Sequence, residues 1–162
     1  SVALRYFNPI GSHPSALIGD CSADRPSNLV PIITEVAIGK REKITVFGDD
    51  YNTPDGTCIR DYIHVVDLAK SHVKAMDFLI KNPGKHAFNV GTGIGVSVLD
   101  AIKAFEKTNN LSINYSIGPR RDGDIEQIYA NGSLVQVKLG WDAKESLEQA
   151  MKSAWDWEKG KA

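Results

Sequence analysis

Arg120-Arg121-Asp122-Gly123-Asp124 is the stretch richest in groups that could do chemistry. Arginine presents a planar fork of donors that matches phosphate oxygens, so two adjacent guanidiniums suit a diphosphate. A carboxylate three positions after Arg121, past a glycine, suits the vicinal hydroxyls of a ribose, as acidic residues do in dinucleotide sites. The competing reading is a surface cluster of mixed sign. A third guanidinium, Arg60, follows a loop of turn formers in which Gly48, Asp49, Asp50, Asn52, Pro54, Asp55 and Gly56 lie close together. A polar loop leading into a short apolar segment with an arginine makes an anion-binding edge; the alternative is a surface hairpin whose Arg60 pairs with a nearby Asp. Asn8 falls where a strand ends, and Asn28 where a helix begins and backbone N–H groups favour anions. Together with Arg60, Arg121 and Asp124 they form a cradle for a diphosphate flanked by a nucleoside and a sugar.

Gly91-Thr92-Gly93-Ile94-Gly95 sits between a strand and a helix and invites a phosphate-loop reading. The dinucleotide fingerprint needs glycine at position 96, which is valine, and no Gly-Lys-Ser/Thr follows. These glycines read instead as a tight turn that lets the helix pack close to the sheet. None of the five tyrosines has lysine four residues later, so no Tyr-x-x-x-Lys proton-transfer pair is present and no catalytic residue is expected in this chain. His13, His64, His72 and His86 show no metal spacing, so no metal site is expected. Cys21 and Cys58 are far apart without a CxxC, which suits reduced thiols in the cytoplasm. Nineteen basic and 20 acidic residues give a formal net charge of −1, a balance without the footprint of a nucleic-acid or acidic-membrane binder. No apolar run reaches the length of a membrane span.

The elements that must hold these groups alternate. Val2–Tyr6 reads as a strand already in progress, as in the later part of something longer, and Pro9 and Pro14 turn the next stretch into a loop. Residues 15–27 read as a long excursion. Ser27 or Asn28 caps a helix with Pro31 in its first turn and Gly39 at its end. A strand at Ile44–Phe47 and an ordered segment at Cys58–His64 come next. A second helix, capped by Asp67, buries Leu68, Ala69, Val73, Ala75, Met76, Leu79 and Ile80. A strand at His86–Val90, a helix from Ser97 to about Lys107, a strand at Ile113–Ile117, a helix over Ser133–Leu139 and a last helix from Ser146 to about Lys159 complete the chain. Helices alternating with short strands give an α/β or α+β class.

Arg5-Tyr6-Phe7-Asn8-Pro9, Ser27-Asn28-Leu29, Phe47-Gly48 with Tyr51, Asp55-Gly56-Thr57, Arg60-Asp61-Tyr62-Ile63-His64-Val65, Asn89-Val90-Gly91-Thr92-Gly93 and Arg120-Arg121-x-Gly123-Asp124 occur in order. Over essentially its whole length the chain resembles the carboxyl-terminal half of the UDP-glucose 4-epimerase family, within the extended short-chain dehydrogenases/reductases. The resemblance implies α/β architecture: late strands of a Rossmann sheet and the small mixed α/β domain that grips the UDP-sugar. Residues 1–162 would be mainly that substrate domain, and the NAD-binding domain with its Tyr-x-x-x-Lys would belong to an absent amino-terminal half. The implied activity interconverts UDP-glucose and UDP-galactose through a 4-keto intermediate with bound NAD. Homodimers of the family form through the missing half. Alternatives are a related UDP-sugar epimerase or decarboxylase, or a UDP-sugar-binding module without chemistry.

Carried over by position, Tyr6 and Phe7 would lie at the nicotinamide end of NAD, and Asn8 near the sugar diphosphate. Asn28 and Leu29 would contact the UDP moiety, and Thr45, Val46 and Phe47 would receive the uracil largely through backbone. Arg60 and Arg121 would clamp the phosphates, and Asp124 would hold the ribose. Ile128 stands where residue size is thought to gate N-acetylated sugars in the family. Its intermediate size leaves that substrate open.

Overall fold

The computed structural model describes residues 1–21 and 26–161. Strand β1 (Val2–Tyr6) lies parallel to β6 (His86–Val90), and β2 (Asn8–Ile10) parallel to β5 (Tyr62–His64). β1 and β2 are one run of chain that changes partner at Phe7. The Phe7 amide donates to Val90 O at 3.1 Å, and the Asn8 amide to Asp61 O at 3.0 Å. The exchange leaves Asn8 at the fork between two parallel partners, the kind of strand-end position where α/β proteins hold ligands. β3 (Ile44–Phe47) runs parallel to β8 (Tyr115–Gly118). β4 (Ile59–Arg60) lies between β7 (Val96–Ser97), antiparallel, and β9 (Gln127–Ile128), parallel.

Among the described residues, two cores hold this together. One joins α1 (Leu29–Ala37), α3 (Val98–Asn109) and α5 (Leu147–Gly160) to β3, around Ile33, Val46, Ile102, Phe105 and Met151. Each of these fully buried side chains contributes about 1.5–3 kcal/mol by leaving water. The other places Ile63, Leu68, Phe88, Val90, Val135 and Leu139 between α2 (Val65–Lys81), α4 (Ser133–Leu139) and the β1–β6 pair.

The polar loop before Arg60 is ordered by its own side chains. Asp55 accepts from the Thr57 amide at 2.9 Å and hydroxyl at 2.8 Å, and from the hydroxyl of Ser97, the α3 cap. Burial pushes the Asp55 carboxyl up, but these bonds outweigh it and hold it below the ordinary range. Gly56 has φ +77°, and a Cβ there would strike the Asp49 carbonyl, so the turn requires glycine.

Three expectations are corrected. Helix α2 begins at Val65 and is capped by His64, whose Nδ1 accepts from the Val66 amide at 3.1 Å. Asp67 is instead buried in the first turn, where Oδ2 accepts from the Lys144 and Glu145 amides at 2.7 Å each. Its ability to reach another loop makes it a tertiary anchor, which local sequence does not show. Second, α2 buries Leu68, Ser71, Ala75 and part of Phe78, while Val73, Met76 and Ile80 are 59%, 66% and 77% exposed. The helix is apolar on two adjacent faces, and periodicity alone does not say which meets the sheet. Third, the strand expected at Ile113 starts at Tyr115; Ile113 is buried in the first core. Asn28 caps α1 by position, without a side-chain capping hydrogen bond among the described residues. The excursion expected over residues 15–27 includes residues 22–25, which lie outside the described residues.

His64 gives the fold a pH response. It is buried, its Nδ1 takes the Val66 amide, and its Nε2 lies 3.2 Å from Ser153 Oγ, which donates to Ala150 O. This arrangement requires the neutral ring. Burial lowers its pKa from the ordinary 6.5; Glu145 and Asp67 oppose that shift and Lys70 reinforces it. The unfolded chain therefore binds this proton first. The contribution is complete above pH 6.5 and is lost as pH falls through the lowered folded value. The urea midpoint should fall between pH 7.5 and 5.5, and His64→Asn, which keeps an N-cap acceptor, should flatten that fall.

Candidate functional site

Asp61 assembles the site. Its side chain is fully buried, and Oδ1 accepts from the Thr92 amide at 2.9 Å and hydroxyl at 2.7 Å. Oδ2 accepts from the Gly93 amide at 2.9 Å and the Ala130 amide at 3.0 Å. One carboxylate thus ties the end of β6, the residue after β4, and the segment just beyond β9. A Cβ on Gly91 would overlap Asp61 Oδ2 and Ala130 Cβ, so glycine at 91 makes room for this carboxylate. The Thr92 and Gly93 amides are already engaged, so this turn does not offer them to a dinucleotide phosphate, and its scaffold reading holds.

The neighbours of Asp61 define a cleft of about 450 Å³ lined by Arg5, Tyr6, Phe7, Asn8, Arg60, Asn89 and Ile128. Strand register sets Arg60 beside Ile128 and Arg5 beside Asn89. The Arg60 guanidinium is fixed on one side, with Nη1 donating to Ile59 O at 2.8 Å and to Ile125 O at 2.7 Å. Its Nη2 lies 3.5 Å from Asp124 Oδ1. The same oxygen accepts from Arg121 Nη2 at 2.8 Å, which holds the Arg121 pKa above its ordinary value. Arg121 also lies over the Phe47 ring, 5.6 Å from its centroid. Phe47, Arg121, Asp124 and Arg60 therefore form one continuous chain of contacts leading to the cleft.

Arg120 departs from the diphosphate-pair expectation. Its Nε donates to Asp50 Oδ1 at 2.7 Å, and its guanidinium stacks 4.1 Å from the Tyr51 ring centroid. Successive side chains of the strand-end segment diverge, so Arg120 clasps the polar loop while Arg121 turns toward Phe47. Tyr51 is itself buried.

Thr45 is exposed and Val46 is in the core, so any ligand contact by Val46 is through backbone. Asn28 and Leu29 open α1 and do not line the cleft. A larger cavity of about 720 Å³ lies between the loop after β2, α1, the start of α2 and the end of α5. None of the expected site residues lines it, and its Lys40 and Lys161 are paired with Glu158. The arginine-bearing cleft is the better candidate for an anion. Arg5 and Asn89, which line the cleft, and Asp61, which braces it from below the surface, were not assigned by motif reasoning. Arg5 and Asn89 share the motifs of Asn8 and of the glycine turn, and that proximity was the available signal.

Parallel strand pairs covered by helices, with an arginine–aspartate cluster beside the strand ends, define an α/β protein. Residues 2–154 match the family described as GDP-mannose 4,6 dehydratase, and the chain belongs to that family. It is 53% identical over 156 residues to UDP-glucose 4-epimerase of Haemophilus influenzae, covering 96% of this chain and 46% of that protein. The crystal structure of the Stenotrophomonas maltophila UDP-glucose 4-epimerase, with NAD and formylated UDP-arabinopyranose, matches at 48% identity and TM-score 0.97, covering 99% of this chain and 48% of that one. The Bifidobacterium longum enzyme with NAD+ and UDP matches at 48% identity and TM-score 0.94, covering 98% and 47%. The chain spans about half the length of the relatives it matches.

Proposed function

We propose that this chain is the UDP-sugar-binding half of a UDP-glucose 4-epimerase that interconverts UDP-glucose and UDP-galactose in the cytoplasm. The observation that carries the reading is the convergence of Arg60 and Arg121 on Asp124 beside a cleft that holds Asn8 and Ile128. Arg60 and Arg121 clamp the diphosphate, and Asp124 takes the ribose hydroxyls. Phe47 flanks the uracil, with Thr45 and Val46 contributing backbone, and Asn28 and Leu29 close on the UDP moiety from α1. Asn8 orients the sugar, and Ile128, 40% exposed in the cleft wall, meets its C2 substituent.

NAD, when bound, supplies the hydride acceptor at the sugar. The residues here fit one end of it only. Tyr6 and Phe7 offer an aromatic edge at the cleft, whereas the glycine turn has its amides bonded to Asp61. Most of the cofactor is held by a second half, which also carries the proton-transfer residues and the family's homodimer contact. The exposed α2 stripe of Val73, Met76 and Ile80 supports a covering partner domain.

The test is functional separation. The purified chain should bind UDP by calorimetry yet convert no UDP-galactose when NAD is added. Absence of UDP binding would refute the site, and measurable epimerisation would refute the division of labour.

A further inference from the structure

Asp124 sits where a ligand's negative charge would go. Arg60 Nη2 and Arg121 Nη2 approach the same oxygen, Oδ1, at 3.5 and 2.8 Å. The two arginines differ in freedom. Arg60 has a side chain only 17% exposed and is held by two backbone carbonyls, whereas Arg121 is 60% exposed and, among the described residues, makes its side-chain hydrogen bond to Asp124 alone. The carboxylate is itself held, because its side chain is 13% exposed and the Asp124 amide donates to Arg121 O at 3.2 Å across a turn made by Gly123 at φ +81°. Two cations thus share one anion, which pairs with both of them.

We propose that Asp124 is a built-in stand-in for the diphosphate, and that this makes it the residue that rejects bare phosphates in favour of nucleoside diphosphates. The inference rests on the reading that Arg60 and Arg121 take the diphosphate and Asp124 the ribose. An inorganic anion entering the cluster meets a carboxylate it must displace from Arg121, and it offers that carboxylate nothing in return. Leaving a desolvated charge with fewer partners is costly. A nucleoside diphosphate supplies the exchange: its phosphates take the arginines while its ribose hydroxyls donate to the released carboxylate. The same group therefore opposes one class of anion and assists the other. Simple charge attraction by the two arginines would favour both classes alike.

The experiment titrates inorganic pyrophosphate and UDP, separately, into the chain and into Asp124→Asn. Pyrophosphate should bind about tenfold more tightly to the variant, because a like charge beside two guanidiniums is gone, and UDP about tenfold more weakly. The pyrophosphate gain should shrink at high salt. Asp124→Ser should give the same two signs, and Asp124→Glu should restore the wild-type resistance to pyrophosphate. Circular dichroism checks that each variant is folded, and either uncharged variant suffices. Pyrophosphate affinity that is unchanged or weakened in a folded uncharged variant overturns the proposal. Failure of the wild-type chain to bind UDP instead removes the nucleotide site beneath it.

Discussion

Replacing Asp61 with alanine is expected to cost about 3–5 kcal/mol of stability, read as a shift in the urea midpoint. The carboxylate accepts four hydrogen bonds in a fully buried position, from Thr92 twice, Gly93 and Ala130. Without it three backbone amides lose their acceptor together. Thr92 Oγ1 retains a weaker contact with Ile94 O at 3.4 Å, so its hydroxyl suffers least. Asp61→Asn preserves shape, but whichever way the amide turns, its NH2 faces donors: the Gly93 and Ala130 amides, or Thr92. About 2–3 kcal/mol is expected for that variant. Gly91→Ala should also destabilise, through overlap with Asp61 Oδ2 and Ala130 Cβ. Because both changes act on one contact, the double variant should lose less than the sum of the two. UDP affinity should fall as well, since Asp61 O receives the Asn8 amide, Arg60 is its chain neighbour, and Ala130 is two residues beyond Ile128. An Asp61→Ala protein within about 1 kcal/mol of wild type would remove Asp61 as the organiser of the site.

Legibility in the sequence depends on how local each cause is. Helix starts at Ser97 and Ser146 were readable because the bonds that cap them, to the Asp100 and Gln149 amides, span three residues. The cap at His64 was not, because histidine is an unusual cap and the more familiar Asp67 stood three residues on. Asp67 found its partners 77 and 78 residues away. The scaffold role of the glycine turn was readable from the missing fingerprint glycine, yet its cause, a carboxylate 31 residues earlier, was invisible without the fold. The same holds for Arg120 and Arg121. Adjacent in sequence, they were indistinguishable as phosphate ligands until Asp50 and Tyr51, about 70 residues away, claimed the first. The alternative that Arg60 merely pairs with a nearby Asp also describes part of the structure, since Asp124 is beside it. The pairing and the proposed ligand binding share this carboxylate.

Arg60→Ala is expected to weaken UDP binding about 100-fold while leaving uridine binding nearly unchanged. Arg60 is held before any ligand arrives: Ile59 O and Ile125 O fix Nη1, so the remaining face of the guanidinium is presented without a further loss of side-chain freedom. A preset guanidinium making charge-assisted bonds to a diphosphate supplies about 2–3 kcal/mol, which corresponds to the expected change. Stability should drop by only about 1 kcal/mol, because the two carbonyls sit at a partly exposed edge where water can replace the guanidinium. Arg60→Lys should recover little. An ammonium is a point charge and does not bridge two carbonyls while reaching Asp124 and a phosphate. Uridine lacks the phosphates, so under the proposed assignment its affinity reports the Phe47 side of the site alone. If Arg60→Ala weakens uridine and UDP by the same factor, Arg60 supports the architecture of the pocket and does not touch the diphosphate. If only UDP weakens, the guanidinium fixed by Ile59 O and Ile125 O touches the diphosphate directly.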